Sequence, residues 1–366
     1  MKKFILASLA CTTLISFSPL VGQVEVSAAT TNIATAPEKN LQEAPPATVD
    51  QIFPDDALAF KVAQELGVSE DTVVTQEQLD TIETMVYVDF GVEDLTGMEY
   101  LHNLKFVDLS QNKISNLENL ANLTELETVS LNYNQITDIT PLMNSPKLYN
   151  LELGVNQIST LPSFENLTNL RILNLSSNQL KDISALKDTP QLTNLSISAN
   201  NISDISVLSE CDNLQVFYAE SNQLTSIESL RNKTKLEYFD ANFNQIKDVT
   251  PLSTIPTIRS IKIEENQISD FSSLAGHRLE LFDATGQNIY LPDVALGDST
   301  NIVMKDNLGV TLHDWVWYTP GTYQNDTLTW ENAGDNSAYF LNNQYPTYPS
   351  VTVTVYQTVT PYIIIA

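Results

Sequence analysis

Cysteine is almost missing from this chain: Cys11 and Cys211 are the two among 366 residues. Cations are scarce as well. Eighteen Lys and Arg stand against 45 Asp and Glu, a formal charge of −27. A surface of that sign repels nucleic-acid phosphates and anionic membrane faces, which argues against both as partners. Histidine is limited to His102, His277 and His313, far apart in the chain. No His-Glu-x-x-His or Cys-x-x-Cys spacing, Gly-rich phosphate loop or nucleophile elbow occurs. The expectation is therefore no catalytic residue, no metal and no cofactor. No stretch beyond the N-terminal leader is long and apolar enough to span a bilayer, and Ile363-Ile364-Ile365 reads only as a strand-like end.

The leader itself is plain. Lys2 and Lys3 precede a mostly apolar run from Phe4 to Phe17, and Val26-Ser27-Ala28-Ala29 offers small residues to a signal peptidase. Residues 1–29 read as a secretory signal, which predicts an extracellular protein. Cys11 leaves with that signal. One remaining thiol closes no internal bridge, so stability has to come from packing. Cys211 occupies a position that is otherwise apolar and is expected as a buried small hydrophobe. Residues 30–50, rich in Thr, Ala, Pro and Glu, read as a flexible linker.

What dominates the rest is a period. Asn112, Asn134, Asn156, Asn178, Asn200, Asn222, Asn244 and Asn266 recur every 22 residues without a slip. An aliphatic follows each by two residues, as in Ile114, Ile136 and Leu180, and an apolar frame such as Leu126, Val129 and Leu131 precedes it. This is the leucine-rich-repeat pattern. The L-x-L alternation makes a short strand with two inward side chains. Successive strands stack in parallel, and each Asn turns the chain inward, where its amide can satisfy backbone groups of neighbouring turns. Convex segments are short and carry Pro141, Pro162 and Pro251, which predicts 3₁₀ turns or loops. Where the second inward position shrinks to Ala219, Ala241 or Ala284, the first grows to Phe217, Phe239 or Phe282, as a core of fixed volume demands.

Both ends of the array differ from its middle. The first turn, with Ile82, Met85, Tyr87 and Leu95, has Phe90 in place of Asn, and the last, with Leu279, Phe282 and Ala284, runs one residue early. Before the repeats, residues 53–67 read as a helix with Pro54 in its first turn and Gly67 at its stop. Thr75-Gln76-Glu77-Gln78 is a capping box opening a second helix. After residue 286, Tyr, Trp, Thr and Val dominate, with candidate strands at Asn301–Lys305, Asp326–Trp330, Ser337–Leu341 and Ser350–Val359. The predicted fold is an α/β-type leucine-rich-repeat solenoid, right-handed, with a parallel sheet on its concave face and 3₁₀ or loop segments on its convex face. A helical cap at 51–81 precedes repeats at 82–286, and a β-sandwich at 287–366 follows.

That three-part order resembles the internalin family of Gram-positive surface and secreted proteins. Ile52-Phe53-Pro54-Asp55 with its following helix is similar to the family cap. Gln287-Asn288-Ile289-Tyr290-Leu291-Pro292, leading into Tyr323 to Trp330, is similar to its immunoglobulin-like region. The resemblance implies host-protein binding in adhesion or virulence. No Leu-Pro-x-Thr-Gly wall-sorting motif occurs in this chain, so the smaller secreted members are the nearer likeness.

Strand alternation places every second residue on the concave face. Most of that face is small and polar. The larger side chains predicted for a partner site are Val216, Tyr218, Tyr238 and Phe243, bordered by Glu220 and Asp240. Phe106 with Asp108 makes a smaller group near the N-terminal end, and Glu152 lies between. Glu220 and Asp240, on adjacent strands, make the nearest approach to a catalytic carboxylate pair, yet an open sheet supplies no water-excluding pocket. A protein partner is the first expectation. The alternative is carbohydrate or cell-wall binding through concave aromatics or Trp315, Trp317, Tyr318 and Trp330, although tryptophans in a sandwich more often fill its core.

Overall fold

The computed structural model describes residues 43–312, 315–341 and 351–361. The leader with Cys11, residues 30–42 of the linker, His313 and Ile363–Ile365 lie outside the described residues.

The chain is already structured inside what the sequence suggests as linker. Strand β1 (Ala47–Thr48), helix α1 (Val49–Ile52), α2 (Asp56–Leu66), strand β2 (Val73–Val74) and α3 (Gln76–Leu79) form the cap. Linker character therefore stops before Ala47. Ala47 and Val49 are buried, and β1 pairs antiparallel with β2, Ala47 opposite Val74. The expected helix at 53–67 is shorter, because Asp55 rather than an earlier residue opens it. One Asp55 oxygen accepts the Ala57 and Leu58 amides, both at 3.0 Å. The other accepts the Glu93 and Asp94 amides of the first repeat at 2.9 and 3.1 Å. One carboxylate thus caps α2 and fastens cap to solenoid. Gly97 makes the second fastening. Its φ is +100°, and a Cβ there would lie 2.5 Å from the Ile52 carbonyl oxygen and from the Phe53 ring.

Strands β3 (Thr84–Val86), β4 (Phe106–Asp108), β5 (Thr128–Ser130), β6 (Asn150–Glu152), β7 (Ile172–Asn174), β8 (Asn194–Ser196), β9 (Val216–Tyr218), β10 (Tyr238–Asp240) and β11 (Ser260–Lys262) follow. Neighbours pair parallel and in register at the 22-residue spacing, for example Val107 opposite Val129 and Phe217 opposite Phe239. Short 3₁₀ turns such as Thr140–Asn144, Ser206–Glu210 and Thr250–Thr254 line the convex side. The turn around Pro162 has none. The inward aliphatics are buried along the whole array, and Phe217 stacks on Phe239 with centroids 5.8 Å apart where the alanines leave room.

The asparagines work as one device. Asn178 Oδ1 accepts the Ile158 amide at 2.9 Å, while its Nδ2 donates to the carbonyls of Leu153, Leu175 and Ser176 at 3.0, 3.1 and 3.2 Å. The other ladder asparagines repeat this geometry, Asn112 on Val92 and Tyr87, Asn266 on Ile246 and Ala241. Sequence reasoning stopped the ladder at Asn266. The structure adds Gln287, fully buried, donating to the Ile263 carbonyl at 2.7 Å and accepting the Ile268 amide at 3.0 Å. Its longer side chain serves the turn that runs one residue early.

The expected border at 286/287 falls inside a single strand, β12 (Leu281–Tyr290). Its first residues pair with β11, and from Ala284 onward it pairs parallel with β19 (Val351–Thr360) across a bulge between Ala284 and Gln287. Between them in the chain come β13 (Val294–Ala295), β14 (Ser299–Asn301), β15 (Trp315–Trp317), β16 (Gly321–Gln324), β17 (Thr327–Trp330) and β18 (Gly334–Leu341). The candidate strand at 301–305 is thus displaced to 299–301. Strands β12, β13, β15 and β16 are additions: β12 is shared with the last repeat, β16 opens on Gly321, and β13 and β15 are only two and three residues long. Solenoid and sandwich strands form one 14-stranded sheet in the order β15-β18-β19-β12-β11 and on to β3, with β13 on β19. A three-stranded antiparallel sheet, β14-β17-β16, packs against its sandwich end. Trp330 seals that packing: it is buried, meets Trp317 edge-on at 5.6 Å, and donates its indole N–H to Gln357 Oε1 at 2.8 Å.

Candidate functional site

The concave face takes its character from the three residues of each strand. The middle residue points inward and the flanking two point out. Across β6 to β8 the outward groups are Asn, Ser, Ile and Glu152, joined at the strand ends by Asn132, Gly154 and Ser176. Several of these polar groups satisfy one another, while the Asn150 Oδ1 atom is buried without a hydrogen-bond partner among the described residues. Asn132 Oδ1 accepts the Gly154 amide at 2.6 Å, and Asn174 Oδ1 accepts both the amide and the hydroxyl of Ser176 at 3.0 and 2.7 Å.

The C-terminal third is different. Register puts Tyr218 opposite Asp240, and Tyr238 opposite Val216. The two tyrosine rings meet diagonally at 5.0 Å and 48°. Tyr218 is 39% exposed, Tyr238 and Val216 are half-buried, and Phe243 at the trough edge is 50% exposed. Asp240 is not the exposed border residue expected. It is 5% exposed beneath the Tyr238 hydroxyl, which donates to it at 3.4 Å, and Lys262 Nζ lies 3.7 Å away. That cation also sits 5.9 Å from the Tyr238 ring centroid. Burial pushes the Tyr238 phenol above its ordinary range while its hydrogen bond with Lys262 pulls the other way, and the same bond holds the Lys262 ammonium up. Glu220 is half-buried and stands two residues beyond Tyr218 on the same edge. Asp240, tied to lysine and tyrosine, is poorly placed for acid–base work with Glu220.

Phe106 and Asp108 lie on β4, five strands from β9, about 24 Å away at the usual strand spacing. They do not join the tyrosine group. Phe106 is 39% exposed beside Val86 at 46%, a separate apolar spot near the cap.

Sequence reasoning missed Tyr133 and Tyr149, exposed at 57% and 49%. The signal for Tyr133 was available. It holds the same position as Phe243, directly before a ladder asparagine, where from Gln111 to Glu265 every residue has φ between 51° and 60° and projects outward. It also missed Asp283, which extends the outward row Asp240–Lys262 onto β12. Among the described residues no group of three or more His, Cys, Asp or Glu is placed to hold a metal, and no helix is long and apolar enough to cross a membrane.

Comparison with known proteins agrees with this architecture. Residues 34–80 match the family described as the N-terminal part of bacterial adhesion and invasion proteins, Internalin_N. Residues 102–144, 146–188 and 190–232 match paired leucine-rich repeats. The crystal structure of an internalin (inlF) from Listeria monocytogenes is 34% identical, covering 67% of this chain and 73% of that one with a TM-score of 0.65. The chain belongs to the internalin family. Internalin C2 of the same organism is 30% identical over 63% of this chain and the whole of its own, TM-score 0.57. Internalin H, also from Listeria monocytogenes, is 39% identical over 71 residues, which spans 13% of that protein. The parallel leucine-rich-repeat sheet described above is the fold this chain shares with these solved internalins.

Proposed function

We propose that this internalin is exported by its leader and binds a host protein in the trough of its repeats, with the Tyr218–Tyr238 pair as anchor. The supporting observation is local. Tyr218 and Tyr238 are the adjacent aromatics of the concave strands, their rings in contact at 5.0 Å and bordered by Val216, Phe243 and Glu220. Aromatic side chains of this kind carry a large share of interface energy because they bury much area at small entropic cost. Phe106, Asp108 and Glu152 would then be outlying contacts of a partner wide enough to span the trough. Of the residues behind the carbohydrate reading, Trp330 is buried, Trp315 and Trp317 are half-buried and stack at 5.5 Å, and Tyr318 is 65% exposed.

Capture of host proteins by the full chain, with wild type and Y218A/Y238A compared in parallel, tests the reading. Truncating two anchors at about 1–2 kcal/mol each predicts a loss of affinity of roughly thirtyfold or more for the captured protein, with an unchanged circular dichroism spectrum. Equal capture by both proteins overturns it.

A further inference from the structure

The last turn of the array is one residue short, and the shortfall has a definite place. In the turn before it, Leu252, Ile255 and Ile258 are spaced by three. In the last, Leu274 and His277 keep that spacing, but Leu279 follows after two. The 3₁₀ turn Ser272–Leu274 therefore reaches β12 by a shorter path than the one that leads from Thr250–Thr254 into β11. Between the two paths lies a hollow of about 720 Å³, bordered by Arg259 and Glu280, the residues that immediately precede β11 and β12. That volume is in the range of small-ligand sites. Pro256, Ala275 and Ile258 supply apolar wall, Ile258 being buried.

The polar lining runs against the charge of the chain. Where 45 acids face 18 cations overall, Arg259 and Arg278 both line the hollow against one carboxylate, Glu280. Glu280 stands 3.4 Å from Arg259, and Glu237 3.9 Å. Both pairs are solvent-exposed and weak. Arg278 has no ion-pair or hydrogen-bond partner among the described residues. The backbone amides of Gly276 and Arg278 likewise donate to no acceptor among them. Other polar groups of the wall are engaged. The His277 ring nitrogens stand 3.3 Å from the Leu274 and Ile255 carbonyl oxygens, and the Thr257 hydroxyl donates to the Leu236 carbonyl at 2.8 Å. What remains is a set of free donors, one of them a guanidinium, beside apolar wall.

We propose that this hollow captures the free C-terminal carboxylate of a polypeptide whose last residue is apolar. A guanidinium fork bonds both carboxylate oxygens in its plane, and free backbone amides are the other recurrent donors to such a group. The last side chain lies on Pro256, Ile258 and Ala275. The charge of the whole molecule selects a singly charged ligand, because a polyphosphate or sulfated polymer is repelled more strongly than one carboxylate. The site is separate from the Tyr218–Tyr238 pair and does not depend on the trough being a binding surface.

The probe is a fluorescein-labelled heptapeptide of Gly and Ser ending in Ala-Leu, with a free carboxylate, titrated into the full chain and read by anisotropy. The same peptide with a C-terminal carboxamide is its control. R278Q is compared with K187Q, which removes one positive charge from an exposed convex position. The expected result is binding of the acid form, about tenfold weaker for the amide, weakened about fivefold by R278Q and less than about twofold by K187Q. R278K, which keeps the charge and loses the fork, should fall about threefold. Arg278 is exposed and holds nothing in the fold, so R278Q should keep the wild-type circular dichroism spectrum. In nitrogen–proton correlation spectra the Gly276 and Arg278 amides should shift with the acid peptide alone. Equal binding of acid and amide overturns the proposal, as does equal weakening by R278Q and K187Q, which would mean that the peptide senses only net charge. Failure of the wild type to bind either peptide overturns it as well.

Discussion

Replacing Asn178 by aspartate is the sharpest test of the asparagine ladder, because N178D keeps the shape and reverses half of the chemistry. Oδ1 still accepts the Ile158 amide at 2.9 Å. In place of Nδ2, however, an oxygen faces the carbonyls of Leu153, Leu175 and Ser176, which now sit 3.0, 3.1 and 3.2 Å from a donor. Asn178 is 8% exposed, so water cannot replace the lost bonds. A protonated carboxyl donates to one carbonyl and forfeits the rest, a deficit of about 1–2 kcal/mol. An ionised one adds repulsion from three carbonyl oxygens in a dry site, which lifts the folded-state pKa of the introduced carboxyl above its unfolded value of ~3.9. A lift of about two units is worth ~2.7 kcal/mol. The raised folded value puts the milder deficit below about pH 4, and stability falls further as pH rises through the folded pKa, to a total near 4 kcal/mol at pH 7. N178A loses all four bonds, about 3 kcal/mol, with no pH dependence of its own. Urea unfolding followed by circular dichroism at pH 4, 5.5 and 7 should therefore show N178D more stable than N178A in acid and less stable at neutrality. A constant difference between the two variants across that range would refute the reasoning.

Two other outcomes follow from buried positions. Cys211 is fully buried and burial pushes its thiol up to about 11, so the folded protein should not react with Ellman's reagent at pH 8 until urea unfolds it; immediate stoichiometric labelling would contradict that burial. From about pH 9 toward pH 11 the unfolded thiol ionises before the folded one, and stability should decline across that window. At Gly97, an alanine Cβ would meet the Ile52 carbonyl at 2.5 Å with φ at +100°, so G97A should cost about 3 kcal/mol or more and loosen hydrogen-exchange protection in α1 and the first repeat together. Protection lost in only one of them would mean that cap and solenoid are not fastened there.

The array was legible because its physics repeats: each 22-residue turn carries its own strand, its own Asn and its own core residues, so any copy predicts the next. Even the Gln287 rung could have been read, since Phe282 and Ala284 run one residue early and place the ladder position at 287 instead of 288. Features made by a single long-range contact were not legible. Thr48 and Val49 look like linker until β2 is alongside. Asp240 looks like a surface acid until Lys262 and Tyr238 close over it. The sandwich strands β15 and β16 are short, and their partners, β18 and β17, lie on two different sheets. Of the candidate site, the Tyr218–Tyr238 neighbourhood followed from alternation alone. The place of Asp283 did not, because it sits on a strand that departs from the 22-residue phase.

Strand β12 belongs to two layers at once, its early residues to the last repeat and its later ones to the sandwich. A border carried by backbone hydrogen bonds on both sides is a weld, not a hinge. Bending there would break a strand, so the end module moves only as the array moves. Inserting one more in-phase repeat upstream would carry the sandwich outward by one strand spacing, ~4.8 Å, with its attachment unchanged. The reach of such a molecule is set by counting turns, which gives evolution a ruler it can lengthen in fixed steps.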